Sequence, residues 1–309
     1  MNCIFLDSIA LEMKDLLRLE TPDDIKLTFW DELEEADRTE KLAQAESILT
    51  ATYIVNDEFM NRAPKLKIIQ KMGVGTDNID SLAAKKRGII VGNVPGGNAN
   101  GVAELTMGLI LDVYRKISIL DRESKLGIWS MWTYRNCSYE IKGKTHGIIG
   151  FGNIGQRVAE LSKVFGTSLL YHSRTRATTD VEEKYDVTYM ELEELLRESD
   201  IISIHVPLSK DTENWITAEK LALMKPSSVL INVGRGGVVN EIDLYKALSS
   251  GQLFGAGIDV WATEPFAKDN PLLSLNNVVA TPHVGGGTVD AAVNIFQDSF
   301  KKIRCALSS

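Results

Sequence analysis

Arg235, Glu264 and His283 are the residues whose types and settings could do chemistry on a carbonyl acid. Arg235 stands in Asn232-Val233-Gly234-Arg235-Gly236-Gly237, just past the carboxyl end of an apolar run that reads as a strand. Open α/β sheets bind their ligands at that edge. A guanidinium between glycines can grip a planar carboxylate through two parallel hydrogen bonds and polarise the carbonyl beside it. His283 follows a proline in Thr281-Pro282-His283-Val284-Gly285-Gly286-Gly287. Reducing a ketone requires a proton for the nascent alkoxide, and histidine is the usual donor. Glu264, in Asp259-Val260-Trp261-Ala262-Thr263-Glu264-Pro265, is a carboxylate that can hydrogen-bond and orient that ring. Each type also has an ordinary use, as a surface arginine or a structural histidine. His146, His172 and His205 fall in or at the end of presumed strands and read as structural.

The reductant is indicated upstream. Gly147-Ile148-Ile149-Gly150-Phe151-Gly152-Asn153-Ile154-Gly155 joins a short apolar strand to G-x-G-x-x-G, and an amphipathic helix follows with Ile154, Val158, Leu161 and Phe165 on one stripe. In that order Gly150 makes the tight turn, Gly152 admits a pyrophosphate and Gly155 lets the helix pack on the strand. The N–H groups at the helix start face the phosphate. The next strand, Ser168-Leu169-Leu170-Tyr171, runs into His172-Ser173-Arg174-Thr175-Arg176 with no acid between Leu169 and Thr179. An NAD site places Asp or Glu there for the ribose 2′-OH. Two arginines and two hydroxyls instead make a cradle for a 2′-phosphate, so NADP is favoured over NAD.

The elements that must position these residues form two α/β blocks. In the first, strands are expected near Asn2–Leu6, Ile25–Phe29, Ser47–Leu49, Lys67–Met72 and Ile89–Val91, with a helix at Ser81–Arg87 stopped by Gly88. Pro95-Gly96-Gly97 marks a hinge, and a long helix starting near Asn100 leads into the dinucleotide block. That block continues with strands near Ile201–His205, Ser228–Asn232, Phe254–Asp259 and Asn277–Ala280. A final helix, roughly Thr288–Leu307, should return to the first block. The fingerprint's mid-chain position implies a dinucleotide-binding domain, 97–283, inserted into a split substrate domain, 1–96 and 284–309.

Composition bounds the function. The 309 residues suffice for two well-buried cores, and 44% hydrophobic with 25% charged residues is ordinary for a globular chain. A net charge of −8 argues against a nucleic-acid surface. Cys3, Cys137 and Cys305 form no C-x-x-C pair and no even set, which fits a reducing, cytoplasmic setting. No signal peptide, repeat or membrane-length apolar run is apparent, and neither a membrane partner nor a metal is expected.

Taken together, the mid-chain glycines, Asn232-Val233-Gly234-Arg235-Gly236, Asp259 through Glu264-Pro265, and Thr281-Pro282-His283 resemble the D-isomer-specific 2-hydroxyacid dehydrogenases in order and spacing over almost the whole chain. The resemblance implies a Rossmann-type doubly wound parallel sheet inserted into a flavodoxin-like α/β domain. It implies that Arg235 binds a 2-oxo acid, that His283 is the acid/base and that Glu264 orients and tunes it. Val74 and Gly75, in Gly73-Val74-Gly75-Thr76-Asp77-Asn78, would offer backbone N–H groups to the substrate carboxylate, a recognised form of anion nest. Gly150, Gly152, Asn153, Ile154, Gly155, Ser173, Arg174 and Thr175 would contact the cofactor. So would Val206, Val233, Gly234, Arg235, Asp259, His283 and Gly285, with Asp259 on the nicotinamide carboxamide.

His172-Ser173-Arg174 in place of the acid is similar to the family's NADP-using glyoxylate and hydroxypyruvate reductases. Trp129 and Trp132 resemble their tryptophan pair, one of which contacts substrate in its own or a neighbour's site, within a homodimer. A small 2-oxo acid, glyoxylate or hydroxypyruvate first, is the expected substrate. Phosphoglycerate dehydrogenase-type activity is an alternative, although the end at Ser309 leaves no room for an added regulatory domain. Formate dehydrogenases carry a different partner for the histidine. A cofactor-sensing binding protein, like the C-terminal-binding-protein corepressors, keeps the same fold and trio.

Overall fold

The computed structural model describes residues 1–308, which divide into two compact units: Met1–Asn98 together with the chain from Thr288 onward, and Ala99–Gly287. In the first unit β1 (Asn2–Phe5), β2 (Lys26–Phe29), β3 (Ser47–Thr50), β4 (Ile68–Lys71) and β5 (Ile90–Gly92) form one parallel sheet in the order β2-β1-β3-β4-β5. That is the flavodoxin-like order. Ile48 and Leu49 of β3 and Phe5 of β1 are fully buried, as expected of strands covered on both faces. Burial of each such side chain stabilises by about 1.5–3 kcal/mol. The helix Ser81–Lys86 is capped by Asp80, whose carboxylate accepts from Ala83 N–H at 2.9 Å, and it ends at Gly88 with φ +71°. The last helix, Val289–Ser308, buries Phe296, Phe300 and Ile303 against Cys3, Phe5, Leu17 and Ile68, so it belongs to this unit's core.

The second unit carries β6 (Thr145–Ile149), β7 (Ser168–His172), β8 (Val187–Tyr189), β9 (Ile201–Ile204), β10 (Val229–Asn232), β11 (Gly255–Ile258) and β12 (Val278–Ala280). All pair in parallel, in the order β12-β11-β10-β9-β6-β7-β8. This is the doubly wound arrangement, with its topological switch between β6 and β9. The helix Ala99–Arg115 seals one face, burying Val102, Leu109, Ile110 and Val113 with Ile201, Val229 and Ile231. One expected core position fails. Phe165 lies just past the helix Asn153–Val164 and is 40% exposed, and the buried face is instead Gly155, Val158, Ala159 and Ser162. Small residues there let this helix pack closely on Ala99–Arg115.

His146 is fully buried in β6, with Nδ1 2.9 Å from Ser162 Oγ and Nε2 2.8 Å from Ser203 Oγ. Burial pushes its pKa down to about 3. The unfolded chain, with an ordinary histidine, therefore binds more protons between about pH 6.5 and 3, and stability must fall as pH drops through that window. One such histidine contributes a slope of up to about 1.4 kcal/mol per pH unit. A urea midpoint that falls from pH 7 to pH 5, and falls less in His146→Gln, is the expected result. An unchanged wild-type midpoint would refute it.

Candidate active site

The glycine turn after β6 has the geometry of a phosphate cradle. Gly150 has φ +95°, a conformation that an L side chain rarely adopts. A Cβ on Gly155 would stand 2.1 Å from the Gly150 carbonyl oxygen, so no larger residue fits where the helix meets the turn. Gly152 is exposed and opens onto free space, and the helix Asn153–Val164 begins there with unsatisfied first-turn N–H groups. Asn153 is exposed and Ile154 half-buried beside it. These features fit the pyrophosphate of a dinucleotide.

At the end of β7 the turn is built to hold three side chains in solvent. Tyr171 hydroxyl donates to Glu182 Oε1 at 2.6 Å and accepts from Ala177 N–H at 3.0 Å. Arg176 grips the same carboxylate through Nε at 2.8 Å and Nη2 at 2.9 Å. Arg176, with Tyr171, holds the Glu182 carboxyl down at about 2. Arg176, with 64% of its side chain exposed, is therefore already paired with Glu182. Arg174 and Thr175 are exposed and Ser173 half-exposed, and none makes a hydrogen bond within the described residues.

The loop after β10 is braced by its own strand. Asn232, 3% exposed, accepts from Gly234 N–H at 3.2 Å and donates to the Arg235 carbonyl at 3.1 Å. Arg235 donates Nη1 to the Gly234 carbonyl at 2.8 Å, and its other guanidinium N–H groups have no partner among the described residues. Gly236 sets the next contact: a Cβ there would lie 1.9 Å from the Trp261 carbonyl carbon. Only glycine lets the arginine loop lie directly on the backbone of the Trp261 loop. Trp261 N–H in turn donates to Glu264 Oε1 at 3.0 Å, and Trp261 Nε1 to the Thr281 carbonyl at 3.0 Å. Glu264 Oε2 stands 2.7 Å from His283 Nδ1. With an ionised carboxylate as partner Nδ1 must donate, which leaves Nε2 for other chemistry.

His283 takes φ +55°, uncommon for a non-glycine residue and a form of strain that clusters at functional sites. Asp259 holds it there. The Asp259 carbonyl accepts from His283 N–H at 2.7 Å, and its carboxylate accepts from Thr281 Oγ1 at 2.6 Å, Val284 N–H at 2.9 Å and Gly285 N–H at 2.9 Å. Asp259 is 1% exposed, and its carboxylate braces the histidine loop. Val233 is 6% exposed within the core, so it can offer a ligand only its backbone. Val206 follows β9 at the switch point. Thr281, Trp261 and Asn232 hold the site together and were not readable as site residues. Their one signal was adjacency to Gly234, Gly236 and the proline at 282.

Within the first unit, Val74 and Gly75 lie past β4, with Val74 46% exposed, and their N–H groups donate to nothing among the described residues. The loop is fixed by Asn93 Nδ2 on the Val74 carbonyl at 2.8 Å and by Val94 N–H on the Gly73 carbonyl at 2.8 Å. Trp132 is 70% exposed with the Arg135 guanidinium 3.9 Å from its ring centroid.

Residues 107–285 match the family described as D-isomer specific 2-hydroxyacid dehydrogenase, NAD binding domain. A glyoxylate reductase of Thermococcus litoralis is 44% identical over 258 residues, 82% of this chain and 77% of that one. A hydroxypyruvate reductase of Thermotoga maritima is 40% identical over 258 residues, 83% of this chain and 82% of that one. Among solved structures, a protein from Thermus thermophilus superposes with a TM-score of 0.87 at 31% identity, covering 100% of this chain and 97% of its own.

Proposed function

Because the chain belongs to the D-isomer-specific 2-hydroxyacid dehydrogenases, oxidoreductases of the CH–OH group that use a nicotinamide cofactor, we propose that it is an NADPH-preferring reductase of a small 2-oxo acid. Glyoxylate and hydroxypyruvate are the leading substrates. The 2.7 Å Glu264–His283 pair, tied through Trp261 to the Arg235 loop, carries the reading. Arg235 binds the oxo acid and polarises its carbonyl, the Val74 and Gly75 N–H groups take the carboxylate, and His283 Nε2 gives the alkoxide its proton. Bound NADPH supplies the hydride. Gly150, Gly152, Asn153, Ile154 and Gly155 receive the pyrophosphate. The backbone about Val206, Val233, Gly234 and Gly285 lines the rest, and Asp259 keeps His283 in place.

Cofactor choice rests on the turn after β7. With Arg176 paired to Glu182, the 2′-phosphate falls to Ser173, Arg174 and Thr175. Charge-assisted hydrogen bonds contribute about 1.5–3 kcal/mol each, so kcat/KM should favour NADPH over NADH at least about tenfold. The preference should narrow or reverse in a His172→Asp, Arg174→Ala double variant. Equal kcat/KM for the two reduced cofactors at saturating oxo acid and physiological salt would sink the assignment.

A second copy of the chain completes the proposal. Ile117, Leu126, Ile128, Trp129, Met131 and Trp132 are all exposed, Trp129 at 87%, on one stretch of the second unit. A run of large apolar groups left in water marks an interface, and Trp132 on it is the substrate contact we assign to this arm. A monomer mass by sedimentation at micromolar protein would refute the homodimer. Cys3, Cys137 and Cys305 form no disulfide among the described residues, which supports a reducing, cytoplasmic setting.

A further inference from the structure

We propose that Lys71 is a positioning residue for the substrate carboxylate, bracing the loop that presents the Val74 and Gly75 N–H groups. The inference rests on the function proposed above and adds a residue to it. At the carboxyl edge of the first unit's sheet, Asp7 follows β1 and is 7% exposed. Its carboxylate accepts from Ala51 N–H at 2.5 Å, Thr52 N–H at 2.6 Å, Thr52 Oγ1 at 2.6 Å, Tyr53 N–H at 2.8 Å and Thr50 Oγ1 at 3.1 Å. Five donors on one carboxylate fix the loop after β3. Lys71, the last residue of β4, reaches the same loop from the other side, with its ammonium on the Ala51 carbonyl.

A single peptide group, Ala51–Thr52, is thus bracketed by opposite charges: Lys71 on its oxygen and Asp7 on its N–H. Each hydrogen bond polarises the peptide and strengthens the other. The same ammonium donates to Asn78 Oδ1 at 2.8 Å, and Asn78 Nδ2 donates to the Tyr53 carbonyl at 2.6 Å. Residues 73–76, the nest, lie between these two anchors, Lys71 and Asn78. Cε of Lys71 stands 3.9 Å from where a Cβ on Gly73 would be, so the aliphatic stem runs against the start of the nest. Two open N–H groups bind an anion well only if the loop cannot rotate them apart, and Lys71 with Asn78 is the device that prevents it. The ammonium also places a positive charge beside the nest, which a carboxylate ligand would feel.

The test is steady-state kinetics of the full-length protein with NADPH and glyoxylate. Lys71→Met should raise KM for glyoxylate at least about tenfold while kcat stays within about threefold and KM for NADPH is unchanged. Lys71→Arg, which keeps the charge and the donors, should recover most of the loss, and Asn78→Ala should reproduce the selective KM effect by cutting the loop's end of the brace. A wild type inactive on every 2-oxo acid overturns the function itself. An active wild type with a folded Lys71→Met of unchanged glyoxylate KM overturns only this inference. Should Lys71→Met not fold, an unchanged KM in Asn78→Ala does the same. A general loosening of the fold would instead raise the KM of both substrates and would also count against it.

Discussion

The His283→Ala enzyme is expected to turn over roughly 100- to 10,000-fold more slowly than the wild type, the usual contribution of a positioned proton donor, with NADPH affinity kept. The ring is held at both ends of its backbone and at one nitrogen. Its Nδ1 lies 2.7 Å from Glu264 Oε2, its amide donates to the Asp259 carbonyl at 2.7 Å, and its backbone takes a left-handed φ of +55°. Alanine at this position removes the proton donor and leaves the glycine turn and the β7 end untouched. Glu264 remains on the Trp261 N–H at 3.0 Å, so the Trp261 loop keeps its own support. Single-turnover rates with 4-deuterated NADPH establish that the chemical step is being read. Near-normal turnover in a variant that shows the isotope effect would show that His283 is not the proton donor.

Much of this was legible because parallel strands buried on both faces appear in sequence as bare apolar runs. Ile201–Ile204, Val229–Asn232 and Gly255–Ile258 fall within one residue of the runs that announce them. The glycine fingerprint was legible for a similar reason: a turn with φ +95° and a contact of 2.1 Å at Gly155 admit no other residue, so backbone geometry is written directly into residue type. What could not be read was any property set by partners distant in sequence. Arg176 reads as a free cation until Glu182 is seen to hold it through two nitrogens. The bracing of the His283 loop by the Asp259 carboxylate, about 25 residues upstream, carries no local signal either. Phe165 continues a helical period that the chain itself has already ended at Val164. Lys71 and Asp7 carry no local signal at all, because the peptide that joins them belongs to a third strand end.

Arg235→Ala should weaken both KM and kcat/KM for 2-oxo acids. Truncating one partner of a desolvated charge pair costs about 2–5 kcal/mol, roughly a 30- to 4,000-fold loss in kcat/KM. The structure gives the residue little else to do. Among the described residues its guanidinium makes one hydrogen bond, to the neighbouring Gly234 carbonyl at 2.8 Å, and Asn232 braces the backbone of the loop independently through Gly234 N–H and the Arg235 carbonyl. The loop should therefore persist in the variant, and the thermal midpoint should hardly move. Arg235→Lys should be impaired as well, since an ammonium is a point charge and cannot reproduce a planar fork holding a carboxylate. The loss must depend on the carboxylate if the clamp is real. Measured against a simple ketone of the same carbon skeleton, wild type and Arg235→Ala should differ far less than they do on the oxo acid. A wild type that reduces the ketone and the oxo acid equally well would mean that the free N–H groups of Arg235 meet no carboxylate. The arginine would then be a loop residue whose position at the strand edge is incidental.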